Sequence, residues 1–97
     1  MTQTETRSRR KEILEKRLSE KYESMTMNGT LCFAIKNGMI CRIDTLGGQY
    51  DALVLEYAEN LELAKKNIFG EDGDLFYMDT LDEEEMFKAM LSEIEAA

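Results

Sequence analysis

Asn37-Gly38 divides two largely apolar runs, Thr30 to Lys36 and Met39 to Asp44. Both residues tolerate the positive φ of a type I′ turn, so the dipeptide is the strongest short-range signal for a β-hairpin. A two-residue turn there pairs Lys36 with Met39, Ala34 with Cys41 and Cys32 with Ile43. One face then presents Cys32, Ala34, Met39, Cys41 and Ile43; the other presents Leu31, Phe33, Ile35, Ile40 and Arg42. Neither face is mainly polar, so the hairpin must be covered twice, by helices or by a second subunit. In this register the two cysteines lie diagonally, roughly 7–8 Å apart, whereas a disulfide needs Cβ atoms about 3.8 Å apart. The expectation is two free, half-buried thiols, in keeping with a reducing compartment. Arg42, beside Cys41, is the only flanking group that would activate a thiol.

The rest of the chain supplies the covering elements. Residues 1–6 are polar and expected to fray. A helix is predicted over Ser8–Ser24, with Ile13, Leu14, Leu18, Tyr22 and Met25 as a narrow apolar stripe and Glu12–Lys16 as a favourable i,i+4 pair. Met25 to Gly29 reads as a connector. After the Gly47-Gly48 break, Asp51–Tyr57 reads as a strand with Leu53, Leu55 and Tyr57 on one face. A short helix is predicted from Leu61 to Phe69, capped by Asn60 and closed by Gly70. Glu71 to Asp74 reads as a turn and Leu75 to Met78 as extended chain. Thr80-Leu81-Asp82-Glu83 has capping-box spacing and opens a last helix with Met86, Phe87, Met90, Leu91 and Ile94 on one face. With 97 residues there is room for one core and one domain. The predicted fold is α+β: a small antiparallel β-sheet packed with N-terminal, middle and C-terminal helices, in the order α-β-β-β-α-β-α.

Composition narrows the chemistry. The chain has no His, which removes Ser-His-Asp and Cys-His catalysis and His-containing zinc sites. No apolar run approaches the ~20 residues of a membrane span, and the polar, basic start carries no apolar h-region of a signal peptide. A cytoplasmic protein with no membrane contact is expected. An EF-hand loop beginning at Asp72 would need an oxygen ligand at its fifth position and Gly at its sixth, where Phe76 and Tyr77 stand. A glycosidase-type carboxylate pair needs a sugar-holding cleft that a chain this short, without Trp, is poorly equipped to build. No metal, no cofactor and no enzymatic activity are expected.

Charge is the most prominent remaining feature. Residues 71–97 carry ten acids against the single base Lys88, while residues 1–22 carry seven bases and four acids. The acids read in two ways. They are a solvated face that keeps the domain soluble, or a surface for a basic partner, with carboxylates standing where phosphates would. The net charge of −8 disfavours direct nucleic-acid binding. The candidate partner-binding residues are Asp72, Asp74, Tyr77, Asp79, Asp82, Glu83, Glu84 and Glu85, with Tyr77 adding rim contact. Tyr50 and Tyr57 also lie near acids and fit either a recognition surface or a plain sheet. Phe33, Phe69, Phe76 and Phe87 are assigned to the core.

The stretch Tyr50-Asp-Ala-Leu-Val-Leu-Glu-Tyr, then Ala64-Lys-Lys-Asn, then Glu71-Asp-Gly-Asp-Leu-Phe-Tyr-Met and the acidic helix resembles small acidic proteins of bacterial plasmids, phages and conjugative elements. Some of these are anti-CRISPR inhibitors. The resemblance spans residues 50–95. It implies a cytoplasmic, non-enzymatic inhibitor that binds a guide-RNA-directed nuclease where target DNA is recognised. The alternative function is a small adaptor or accessory domain of a mobile element that works as a homodimer. Its interface would be the hairpin or the stripe of the first helix.

Overall fold

A computed structural model of the chain describes residues 3–70 and 74–97. The elements are α1 (Gln3–Ser19), β1 (Glu23–Met27), β2 (Thr30–Ala34), β3 (Ile40–Leu46), β4 (Ala52–Ala58), α2 (Leu61–Lys65), β5 (Leu75–Tyr77) and α3 (Glu83–Ala96). The strands form one sheet in chain order, β1 to β5, and every neighbouring pair is antiparallel. The α+β class, the antiparallel sheet and the three helices are as the sequence leads one to expect.

The sheet gains a strand where a connector was expected. Met25 to Gly29 belongs to β1 and to its turn into β2. Asn28 and Gly29 have φ of 54° and 76°, and Met27 faces Thr30 across them. This is the two-residue turn that an Asn-Gly pair favours. The signal was hidden because Glu-Ser-Met-Thr-Met is polar at most positions, as an edge strand can be.

The second Asn-Gly turn forms as expected, with φ of 60° at Asn37 and 74° at Gly38, but the register beyond it is corrected. The Met39 N–H donates to the Lys36 carbonyl at 3.2 Å, and the Ile35 N–H donates to the Met39 carbonyl at 2.9 Å. Ile35 and Lys36 thus both stand opposite Met39, a one-residue bulge. The ladder continues as Ala34↔Ile40, Phe33↔Cys41 and Cys32↔Arg42. A one-residue slip moves one strand's side chains to the other face of its partner. Phe33 now shares a face with Cys41 and Ile43, while Cys32 shares the opposite face with Ile40. The cysteines are free, but they lie on opposite faces and are fully buried rather than half-buried.

The front face carries the main core. Phe33, Ile35, Cys41, Ile43, Leu53, Leu55 and Phe76 from the sheet pack against Leu14 and Leu18 of α1 and Met86, Phe87, Met90 and Ile94 of α3. The back face carries a smaller cluster of Cys32, Ile40, Ala58 and Ala64, flanked by Met25, Met27, Ala34, Leu63 and Phe69. Both faces of the hairpin are therefore covered by helices of the same chain. The hairpin and the α1 stripe, expected as dimer surfaces, are occupied within the fold.

The helix boundaries shift for identifiable reasons. α1 begins at Gln3, not Ser8, because Arg7 anchors its start: it is 7 % exposed and its Nη1 donates to Asp51 Oδ1 at 2.7 Å. Residues 3–6, expected to fray, are helical. α1 ends at Ser19, so Tyr22 and Met25 lie beyond it, and its i,i+4 ion pair is Lys11–Glu15 at 3.0 Å rather than Glu12–Lys16. Asn60 caps α2 as expected, accepting from the Leu63 N–H at 2.9 Å. The helix stops at Asn67 (φ 60°), not Gly70. There the Asn67 N–H donates to Ala64 O and the Ile68 N–H to Leu63 O, both at 2.9 Å, which is a Schellman motif with Asn as its left-handed residue. Gly70 instead bridges to Tyr57 on β4.

Candidate functional site

The candidate acids are positioned by β5 and the start of α3. Asp74 precedes β5, Tyr77 ends it, and Asp79 lies in the turn that follows. Asp82 to Glu85 form the N-terminal turn of α3, where carboxylates suit the positive end of the helix dipole. A capping box is present, but it is Asp82…Glu85 rather than one opened by Thr80. The Glu85 N–H donates to Asp82 Oδ1 at 2.8 Å, and the Asp82 N–H donates to Glu85 Oε1 at 3.1 Å. Asp72 lies outside the described residues.

The structure separates these residues by their ties. Glu84 accepts from Arg17 Nη1 at 2.9 Å and Nη2 at 3.4 Å, and Glu83 lies 3.8 Å from the same guanidinium. Arg17 also stacks 3.8 Å from the centroid of the Phe87 ring. The Arg17 hydrogen bond holds the Glu84 carboxyl below the usual carboxylate range. Four of the acids therefore hold α3 to its cap or to α1. Asp74 and Asp79 are exposed, and among the described residues the Asp79 side chain hydrogen-bonds only its neighbour Thr80, whose hydroxyl donates to it at 3.3 Å. Tyr77 is 39 % exposed. Among the described residues, Arg17 is the one cation paired with any of the six carboxylates. Asp74 and the Asp79–Glu85 group stand at opposite ends of β5, so they form a discontinuous strip from the edge strand to the start of α3 rather than one cluster.

Behind the strip lies a half-buried polar contact that sequence reasoning missed. Glu93 of α3 accepts the Asp74 backbone N–H at 3.0 Å through Oε1. The Tyr57 hydroxyl lies toward Glu93, yet among the described residues neither it nor Glu93 Oε2 has a partner at hydrogen-bond distance. Burial raises the Glu93 carboxyl above its ordinary range; the hydrogen bond from the Asp74 backbone N–H opposes the shift, and the Asp74 charge adds to it. Burial likewise raises the Tyr57 phenol, with Cys41 and Glu93 adding to the shift. Tyr57 is half-buried against the front-face core, whereas Tyr50 is exposed. Glu93 is one of the ten acids of residues 71–97, and no signal within the sequence singles it out.

The thiols are not activated. Burial raises the Cys32 thiol, with Arg42 opposing, and burial raises the Cys41 thiol further. Arg42 is committed elsewhere: Nε donates to Glu56 at 2.9 Å, Nη1 to Asn67 at 2.6 Å, and the guanidinium stacks 3.8 Å from the Phe69 ring centroid. Phe69, assigned to the core, is only half-buried beneath it. No three His, Cys, Asp or Glu residues converge on a metal position among the described residues, and none of their helices is long and apolar enough to cross a membrane.

Clefts among the described residues include an apolar one and a polar one. The first, of about 400 Å³, lies between the end of β4 and α2, with Leu63, Ile68 and Phe69 as its apolar wall and Glu59 at its rim. The other, of about 210 Å³, is polar and includes Lys11, Asn28, Thr30, Arg42, Asp44 and Asn67. It opens where the β2–β3 ladder ends at Cys32↔Arg42. Its two cations are already paired, Lys11 with Glu15 and Arg42 with Glu56. Neither cleft carries a nucleophile with a general base. Comparison with protein-family models, curated proteins and solved structures finds no match to the chain.

Proposed function

We propose that this chain is a non-enzymatic acidic inhibitor that binds the nucleic-acid-recognition groove of a DNA-acting enzyme. The observation that carries the reading is the strip beside β5, where six carboxylates face one paired cation, Arg17. Such a strip matches a groove built for phosphates and steers association by charge. Asp74 and Asp79 supply the unencumbered charge, Tyr77 the rim contact, and Asp82 to Glu85 the charge at the helix end. Within this class, the resemblance to anti-CRISPR proteins favours a guide-RNA-directed nuclease, and the site of action is then the cytoplasm.

The division of labour among the acids dictates the test. Reversing Glu83, Glu84 and Glu85 together would break the cap and the Arg17 contact, and lost binding could then reflect a lost helix. Asp74→Lys with Asp79→Lys removes no tie between elements. Binding of this double variant to the captured enzyme is expected to weaken at least about tenfold, the scale of one or two displaced phosphate-like contacts, with an unchanged circular dichroism spectrum. Unchanged affinity would exclude this edge as the site.

A further inference from the structure

We infer that the free edge of β1 is a docking surface for a second copy of this chain, through antiparallel β1–β1 pairing centred on Met25. β1 is the first strand of the sheet and, among the described residues, has a partner on one side only. Its five-pair ladder with β2 is continuous, with no bulge, and the chain contains no Pro. Neither a bulge nor a Pro interrupts this edge, and Glu23, at one end, is its single charged residue.

The hairpin geometry states which backbone groups are free. A two-residue turn closes on a hydrogen-bonded pair, here Met27↔Thr30, and hydrogen-bonded pairs then alternate along the ladder. Glu23, Met25 and Met27 direct their backbone groups to β2. Ser24 and Thr26 direct theirs outward, and both residues are exposed.

This spacing is self-complementary. With two copies related by a two-fold axis at Met25, Ser24 of each faces Thr26 of the other. Each such pair exchanges both N–H···O=C bonds. Met25 then meets Met25 of the second copy as a close, non-hydrogen-bonded pair. Met25 and Met27 already flank the small back-face cluster, so the junction extends that cluster across the axis. Glu23 faces Met27 of the second copy. The two Glu23 residues stand four positions apart, about 13 Å along the strand, beyond the ~8 Å screening length at physiological salt.

Charge selects β1 over the other free edge. β5 is flanked by Asp74 and Asp79, so pairing through it would bring two acidic strips together. β1 lies four strand spacings away, about 19 Å across the sheet, and pairing there leaves the strips at opposite ends of a ten-stranded sheet. The inference does not depend on the function proposed for the strip.

The test is mass and amide exchange on the full chain. Sedimentation at rising concentration is expected to show a species of twice the 11.2 kDa chain mass. The Ser24 and Thr26 amides should gain protection as it forms, while Met25 and Met27 are protected throughout. Thr26→Pro removes an outward N–H and leaves the β1–β2 ladder intact, so the dimer should be lost while the fold persists. Ser24→Pro, which acts at the other outward position, should behave alike. A chain that stays at 11.2 kDa, a dimer that survives both substitutions, or freely exchanging Ser24 and Thr26 amides in the dimer would each overturn the inference. So would protection that appears only when a foreign protein is added, which would assign the edge to a different strand.

Discussion

At the residue scale, Glu93 gives the molecule a pH response of defined sign. Its carboxyl is raised in the folded state, first by burial, so the fold holds that proton more tightly than the unfolded chain does. The associated stability is fully present below the ordinary carboxylate value and is lost as pH rises through the raised one. Glu93→Gln keeps an oxygen to accept the Asp74 N–H and adds an N–H that can serve the Tyr57 hydroxyl. The variant should melt higher than the parent near pH 7 and alike near pH 4, as linkage requires; thermal melts across that range check it. An equal or lower melting temperature near neutrality would contradict the burial argument. Asn60 was readable as a cap because Asn before a helical apolar pattern has a single mechanical use. Asn67 was not, because Gly70 offered a stronger left-handed signal three residues on. The choice shows in the backbone, where the Asn67 and Ile68 N–H groups take the Ala64 and Leu63 carbonyls, while the Ile68 side chain stays exposed.

At the element scale, α1 is held by two fully buried side chains, Leu14 and Leu18, and by the Arg7–Asp51 pair at its start. Leu18→Ala should cost about 2–5 kcal/mol, a large fraction of the roughly 5–15 kcal/mol typical of a domain. Denaturant titration with an unchanged slope checks it. Asp82→Ala removes the accepting half of the α3 capping box and should cost about 1 kcal/mol. Thr80→Ala should cost little, because the cap is not there; comparing the two substitutions tests the corrected boundary. The elements with strong apolar periodicity were all visible: the hairpin, β4 and α3. β1 was not, since none of its side chains is fully buried and no apolar pattern is required of it. The bulge was equally hidden, because one extra residue at Ile35–Lys36 leaves no mark in composition yet exchanges the two faces.

At the scale of the whole molecule, charge is distributed as the sequence implies, with the acids of residues 74–97 along β5 and α3. What only folding reveals is their employment. Asp82 and Glu85 cap a helix, Glu83 and Glu84 meet Arg17, and Asp74 and Asp79 remain as uncommitted charge. The strip was thus readable as a set of residues, but its division into structural and available acids was not, since Arg17 lies 67 positions from Glu84. Because the available charge is exposed, binding through it should weaken steeply as salt rises. The most direct test is capture of a partner from nuclease-treated host lysate on the immobilised chain, eluted with a salt gradient. Retention of a stoichiometric nucleic-acid enzyme that elutes as salt rises is the predicted result. Retention of nothing, or only of further copies of the chain, would contradict the acidic-strip account.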